Sequence, residues 1–309
     1  MRRPLFLLFF LAARLSIAQT WEYVYRDPKD STLNCYLKFT PASGTVNGLI
    51  VRDYSALPDT AKASPFRLQQ LAAEKGIMTL YTVTSGFFPE MYYDDSSPAL
   101  LDEIIREVMT MHRIPAQNLF IGGMSASGTR ALRYAQYCEQ GKSKYGHKVA
   151  GVFAADPPLD LERFYNSAKN NAGNFKKGML EEAGLILKAF PEKLGGTPQE
   201  KPERYRQASV YSRADSSGGN ARLLAKVPVI LFHEPDMEWW TEERGATFFD
   251  INSYDITGFA GKLKALGSEK IEVVTTTGKG FDRQGNRNCH SWTIVDEEYL
   301  VKWILNQLR

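Results

Sequence analysis

Apolar and polar positions alternate from Trp21 to Arg26, from Leu33 to Thr40 and from Asn47 to Tyr54, three strands joined by the turn-rich stretches DPKDS and PASGT. This is an antiparallel start. From Ser64 the period changes: Ser64 and Pro65 open a helix that runs through FRLQQLAAEKG to Gly76, and the apolar run IMTLYTV behind it is a strand. SSPALLDEIIREVMTMHRIP repeats the arrangement, with Ser97 as cap, Pro98 next to it and Pro115 beyond the end, and it leads into the strand NLFIGG. VAGVFAAD, VPVILFHEPD and IEVVTTT are further apolar runs of strand length, and helical patterns cover Ile256 to Leu266 and Asp296 to Leu308. Repeated strand–helix units predict an α/β fold, a mostly parallel twisted sheet with helices on both faces.

One region breaks the rhythm. Between Asp156 and Val227 about 70 residues carry helical patches, such as LDLERFYNSAK and GMLEEAGLILKAF, and no strand pattern; this exceeds an ordinary connection. It reads as an inserted helical cap at about 157–210.

The first residues follow another logic. Two arginines, an apolar run from Pro4 to Ala13 and the small residues Ser16 and Ala18 form a secretory signal peptide over 1–18, too short in its apolar part to anchor in a bilayer. The folded domain then spans 19–309, and the protein is expected to be secreted or periplasmic. Loss of Arg2, Arg3 and Arg14 with the peptide cancels the formal charge of +3, so no electrostatic argument favours nucleic acid or an anionic membrane. With 43% hydrophobic and 24% charged residues the composition is that of a globular protein. The cysteines, Cys35, Cys138 and Cys289, allow at most one disulfide within the chain and have no zinc-ligand spacing.

The chemistry concentrates in LFIGGMSASGTRALRYA, residues 119–135, where a strand meets a helix through two glycines and a serine. A serine in that turn has its oxygen thrust into the crevice at the carboxyl ends of the strands, beside the N–H groups of the helix start. Gly123 and Ser127, two residues either side of Ser125, are small enough for the turn, a relaxed G-x-S-x-G nucleophile elbow. Gly122, Gly123 and Gly128 lack the G-x-G-x-x-G spacing of a dinucleotide loop. The chain here resembles the α/β-hydrolases, and more narrowly their secreted esterase- or peptidase-like members with a helical cap. Ser127 stands where that family usually has glycine, and Arg52-Asp53-Tyr54 where it often has His-Gly-Gly.

A serine alcohol needs a base, and there are four histidines. His112 and His147 precede strands and fall on the opposite edge of the sheet. His233 ends the strand VPVILFH, a structural position. His290, in the polar loop GKGFDRQGNRNCHSW before the last helix, lies where the resemblance puts the catalytic base. By the family's order of serine, acid, histidine, the acid falls in HEPDMEWW, with Asp236 preferred and Glu234 or Glu238 as alternatives. The resemblance also implies an oxyanion hole formed by the N–H of Ala126 and a second donor near Asp53 or Tyr54. Phe164, Tyr165, Trp239 and Trp240, with Phe87, Phe88, Tyr92 and Tyr93, are candidate pocket walls.

The expected activity is hydrolysis of a carboxylic ester through an acyl-enzyme, with neither metal nor organic cofactor. The expected partner is a small-molecule, oligosaccharide or peptide substrate; no nucleic acid and no stable membrane anchor is expected. Two alternatives stand beside it: a serine peptidase acting on short peptides, and a catalytically inactive binding protein on the same fold.

Overall fold

Strands β1 (Thr20–Asp27) and β2 (Asp30–Thr40) form a hairpin whose pairing runs from Thr20↔Thr40 to Asp27↔Asp30. In this computed structural model, which describes residues 20–42, 44–59 and 67–309, β2 therefore starts earlier than its sequence pattern. The reason is location. An edge hairpin exposed to water needs no apolar residues at its tip, so the polar stretch DST pairs without hydrophobic alternation. The predicted signal peptide and the Ser64-Pro65 helix start lie outside the described residues.

The remaining strands are β3 (Gly48–Asp53), β4 (Ile77–Val83), β5 (Leu119–Met124), β6 (Gly151–Ala155), β7 (Val229–His233) and β8 (Ile271–Thr275). They complete one sheet in the order β1-β2-β4-β3-β5-β6-β7-β8; β2 pairs antiparallel with β1 and β4, and all other pairings are parallel. β3, β4, β6 and β7 are buried along their whole length, which is why their sequences are continuous apolar runs instead of alternations.

The α-helices among the described residues are α1 (Arg67–Glu74), α2 (Ser96–Met111), α3 (Ala126–Glu139), α4 (Leu161–Asn171), α5 (Gly178–Leu194), α6 (Pro202–Ala208), α7 (Met237–Arg244), α8 (Ser253–Ala265) and α9 (Glu297–Leu305). On one face Leu101, Ile104, Leu132 and Phe259 of α2, α3 and α8 pack against Leu49, Val51, Ile121 and Leu231 of the sheet. On the other, Leu68, Leu300 and Trp303 of α1 and α9 pack against Ile50, Phe120, Phe153 and Ile230.

The segment between β6 and β7 forms α4, α5 and α6. Their apolar faces do not join either sheet layer. Phe164, Phe190 and Tyr205 gather in a third cluster with Trp239, Trp240 and Ala126, so the inserted helices lie over the carboxyl end of β5. α7 falls where the sequence reads as a plain acid-bearing loop; the Asp236 carboxylate accepts the Trp239 N–H at 3.2 Å and starts it. No helix among the described residues is long and apolar enough to cross a membrane.

Candidate active site

Ser125 is the single residue between β5 and α3, with φ 54° and ψ −131°. A non-glycine residue in such a region is strained by about 1–3 kcal/mol and persists only when its surroundings impose it. The imposing contacts are the Ser125 N–H to Ala155 O at 2.8 Å and the Thr129 N–H to Ser125 O at 3.1 Å. A Cβ at Gly123 would lie 2.2 Å from Ser127 Oγ, and one at Gly122 2.2 Å from the Phe153 ring, so both positions exclude a side chain. Ser127, the departure from the family pattern, uses its hydroxyl: Oγ donates to Asp53 O at 2.5 Å and ties the elbow to the end of β3. Arg130 strengthens the tie from the next turn of α3, with a buried ion pair to Asp53 at 2.9 Å and hydrogen bonds to Ser55 Oγ and Glu90 O at 2.8 Å each.

His290 faces a carboxylate, but not one from HEPDMEWW. Its Nδ1 lies 2.6 Å from Oδ2 of Asp156, the residue that follows β6. Asp156 has φ 45°, is 2% exposed, donates its N–H to Phe232 O at 2.8 Å, and its carbonyl accepts from Asn252 Nδ2 at 2.9 Å. The expected assignment of the acid to Asp236 is corrected. Asp236 accepts from Arg287 Nη2 at 2.8 Å and caps α7, and those two partners fix it away from the imidazole.

The two alternative acids are also otherwise engaged. Glu234 is buried and accepts from Thr276 Oγ1 at 2.7 Å, from the N–H groups of Lys279 and Gly280, and from Arg287. Burial alone would raise its carboxyl, yet these donors hold it below the usual range. Glu238 points into solvent. Glu234, Asp236 and Cys289 have candidate ligand atoms within 4.8 Å of one another, but the Arg287 guanidinium already bridges both carboxylates. What this cluster holds is the loop that carries His290. Cys289, buried beside it, has its thiol pushed up to about 12, chiefly by burial, and all three cysteines are free.

The signal for Asp156 is present in VAGVFAAD, whose final carboxylate stands at the carboxyl end of β6, beside the strand that leads into Ser125. The other histidines behave as their positions suggest. His233 Nε2 lies 2.7 Å from Thr275 Oγ1, His112 Nε2 lies 3.5 Å from Lys38, and His147 lines a cleft at the amino ends of the strands with Lys148 and Lys270.

Ser125 and His290 open onto one cavity of about 370 Å³, walled by Phe164 of α4, Glu182 and Leu185 of α5, and Trp240 and Arg244 of α7. Two expected wall residues are corrected. Tyr165 packs edge-on against Tyr205, 6.0 Å between centroids, inside the inserted helices. Trp239 donates Nε1–H to Arg287 O at 3.1 Å and borders a neighbouring cleft. A cavity of about 320 Å³ on the β3 side joins Ser125 and Ala126 to Tyr54, Ser55 and Phe88. The N–H of Ala126, first of α3, belongs to the set that an α-helix leaves without internal partners. The N–H of Tyr54 is already given to Thr82 O at 2.9 Å, so the expected oxyanion role of that donor is corrected.

The imidazole of His290 titrates above its ordinary value. Burial works against the charged form, and the hydrogen bond and charge of Asp156, with the charge of Glu182, outweigh it. With Nδ1 committed to Asp156, Nε2 is the nitrogen left to exchange a proton.

No family model matches the chain, and no curated protein matches it. Solved structures do. The acylaminoacyl peptidase of Pyrococcus horikoshii superposes with a TM-score of 0.56 at 14% identity, over 89% of this chain and 39% of that one. An esterase of Rhizomucor miehei superposes at 0.56 with 18% identity over 94% and 83% of the two chains, and carboxyl esterase 2 of Tuber melanosporum at 0.57 with 10% identity over 96% and 90%. The chain thus spans about two fifths of the peptidase and most of each esterase. Sheet order, elbow and these superpositions together show the α/β-hydrolase fold.

Proposed function

We propose that the protein is a serine hydrolase that cleaves a carboxylic ester through an acyl-enzyme. One observation carries this: His290, paired with Asp156 at 2.6 Å, opens onto the same cavity as Ser125, which is held half-exposed at a strained strand–helix corner. Three parts of the chain, each ordinary alone, then act as a unit. Ser125 Oγ attacks the ester carbonyl while His290 Nε2 takes its proton, and Asp156 orients the ring and stabilises the imidazolium. The N–H of Ala126 holds the developing oxyanion. The N–H of Ser55, the next residue beyond the spent donor of Tyr54, is assigned as its partner, and each such donor contributes about 3 kcal/mol. His290 returns the proton to the leaving alcohol, and water repeats the sequence on the acyl-enzyme.

A second reading has an observation of its own. Glu182 faces the same cavity with no hydrogen bond to its carboxylate among the described residues, and burial raises its pKa. A protonated substrate amine would pair with it, which favours a serine peptidase or an aminoacyl esterase. Among the structural neighbours are an acylaminoacyl peptidase and esterases, so both chemistries occur on this scaffold.

The test is fluorophosphonate labelling. Purified protein is labelled at Ser125 and the Ser125→Ala variant is not; a folded wild-type protein that stays unlabelled and inert toward short p-nitrophenyl esters supports the inactive binding protein instead. Turnover of aminoacyl amides against acyl esters separates peptidase from esterase. Export to the periplasm or medium is part of the proposal, and amino-terminal sequencing of the exported protein is expected to start at Gln19.

A further inference from the structure

His290 has a second side. Besides the serine cavity it borders one of about 690 Å³, lined also by Arg52, Tyr54, Met124, Phe281 and Trp292. Arg52 is the anomaly here. It projects from β3 in the middle of the sheet, is 4% exposed, and has no carboxylate within ion-pair distance among the described residues. A buried guanidinium is expensive unless paired, so its surroundings require explanation. Its carbon lies 3.9 Å over the Trp292 ring and 5.4 and 5.5 Å from those of Tyr54 and Tyr81. Its Nη groups donate to Tyr54 Oη at 2.6 Å and Tyr81 Oη at 3.3 Å, and its buried Nε has no partner. Burial works against the charge, but the neighbouring phenols and Glu297 outweigh it, so Arg52 stays a cation.

Tyr54 is incomplete in a matching way. Its oxygen accepts from Arg52, which leaves its own O–H to donate, and no acceptor for it lies among the described residues. A cation with no carboxylate in direct contact and a hydroxyl with no acceptor among the described residues border the same cavity, where Arg283 adds a second, exposed guanidinium. The cavity's one acidic wall residue, Asp282, is satisfied by the N–H groups of Gln284 and Asn286 and by the Asn286 amide.

We propose that this cavity is a carboxylate subsite. Arg52 and the Tyr54 hydroxyl bind the carboxylate of the substrate arm that passes His290, while Trp292 and Phe281 hold the apolar or aromatic spacer between that carboxylate and the ester. The substrate class is then an ester with an anionic arm. This rests on the serine hydrolase reading only for the position of the ester, since the binding itself needs no chemistry.

Calorimetry on the full exported chain tests it with 3-phenylpropionate and its neutral isostere 3-phenylpropanamide. Wild-type protein is expected to bind the carboxylate at least about tenfold more tightly, the scale of one charge-assisted hydrogen bond. Tyr54→Phe reduces that preference and Arg52→Met abolishes it, with the carboxamide unaffected. Equal affinity for the two compounds in wild-type protein overturns the subsite without any variant, as does a preference that survives in folded Arg52→Met. Ser125 labelling is read separately. Failed labelling with the preference intact removes the hydrolase and leaves the anion site; successful labelling without the preference does the reverse.

Discussion

The ends of β6 and β7 each present a carboxylate to the same rim, and the two have opposite fates. Asp156 follows β6 directly, is 2% exposed, and gives its carboxylate to the His290 imidazole. Asp236 lies three residues past the end of β7, has a side chain 32% exposed, and divides its oxygens between a helix N-terminus and Arg287. The family order of serine, acid and histidine favours Asp236. The structure reverses that preference because Asp236 lies in a segment that turns into α7, and a residue starting a helix is drawn to that helix's own N–H groups. Asp156 precedes Pro157 and Pro158, which have no N–H to offer it, and its carboxylate stays available to a distant partner. A strand-end acid serves chemistry, on this comparison, when no local donor claims it.

Asp156→Asn tests that claim most severely. The amide preserves size, but presents the wrong hydrogen-bonding partner to Nδ1 and removes the charge that stabilises the imidazolium. A fall in kcat of about 10³–10⁴ is expected, with KM little changed, measured on a p-nitrophenyl ester. Loss confined to less than about tenfold would mean that the pair is structural, and would reopen the assignment of the base.

Glu234 is the next in size, because it anchors the loop that Arg287 and Gly280 share with His290. Its side chain is fully buried and Arg287 is 25% exposed, so Glu234→Ala leaves Arg287 to Asp236 alone and leaves buried N–H groups unpaired. The expected destabilisation is about 2–4 kcal/mol in urea titration, below the upper range for fully buried pairs. A loss under about 0.5 kcal/mol would show that the loop does not depend on this cluster.

The pH profile sharpens the comparison from the side of the base. In the proposed mechanism only neutral His290 can accept the serine proton, and its pKa lies above the ordinary 6.5 because Asp156 and Glu182 outweigh burial. The acid limb of kcat/KM in wild-type protein therefore falls above pH 6.5, and in Asp156→Asn it moves to lower pH. Stability runs the other way. A raised folded-state pKa contributes stability that is fully present below the unfolded value and is lost as pH rises through the folded one, so the rise in activity coincides with a small fall in unfolding free energy. An acid limb at or below pH 6.5 in wild-type protein contradicts the pairing.

What could be read from the chain follows the same division between local and distant causes. The parallel sheet, the elbow at Ser125 and the elimination of three histidines depend on periodicity, turn sterics and strand polarity, which are written over a few neighbouring residues. The helical character of the stretch between β6 and β7 is legible as a long gap in the strand pattern. Nothing local singles out Asp156, although VAGVFAAD reads as a strand, because its partner lies 134 residues away. Tyr54 failed for a related reason: whether its N–H is free depends on how far β3 pairs with β4, and the extra bond to Thr82 cannot be seen in RDY alone. α7 was missed because MEWWTEER has a weak apolar stripe, and its start depends on the capping carboxylate that the sequence had offered for another purpose.

The smallest expected effect closes the comparison from the side of Asp236. Replacing it with alanine removes a helix cap and one of the two carboxylates on Arg287, and leaves Glu234 to hold the guanidinium. The cost is about 1 kcal/mol of stability, since caps contribute in that range and the ion pair is one-third exposed. Turnover stays within about threefold of wild type, because the groups that meet at the imidazole are untouched. Asp236→Ala and Asp156→Asn, assayed together, therefore differ by about three orders of magnitude in kcat. If Asp236→Ala proves the more damaging to turnover while remaining folded, the carboxylate that matters in solution follows β7, and the local-donor argument fails with it.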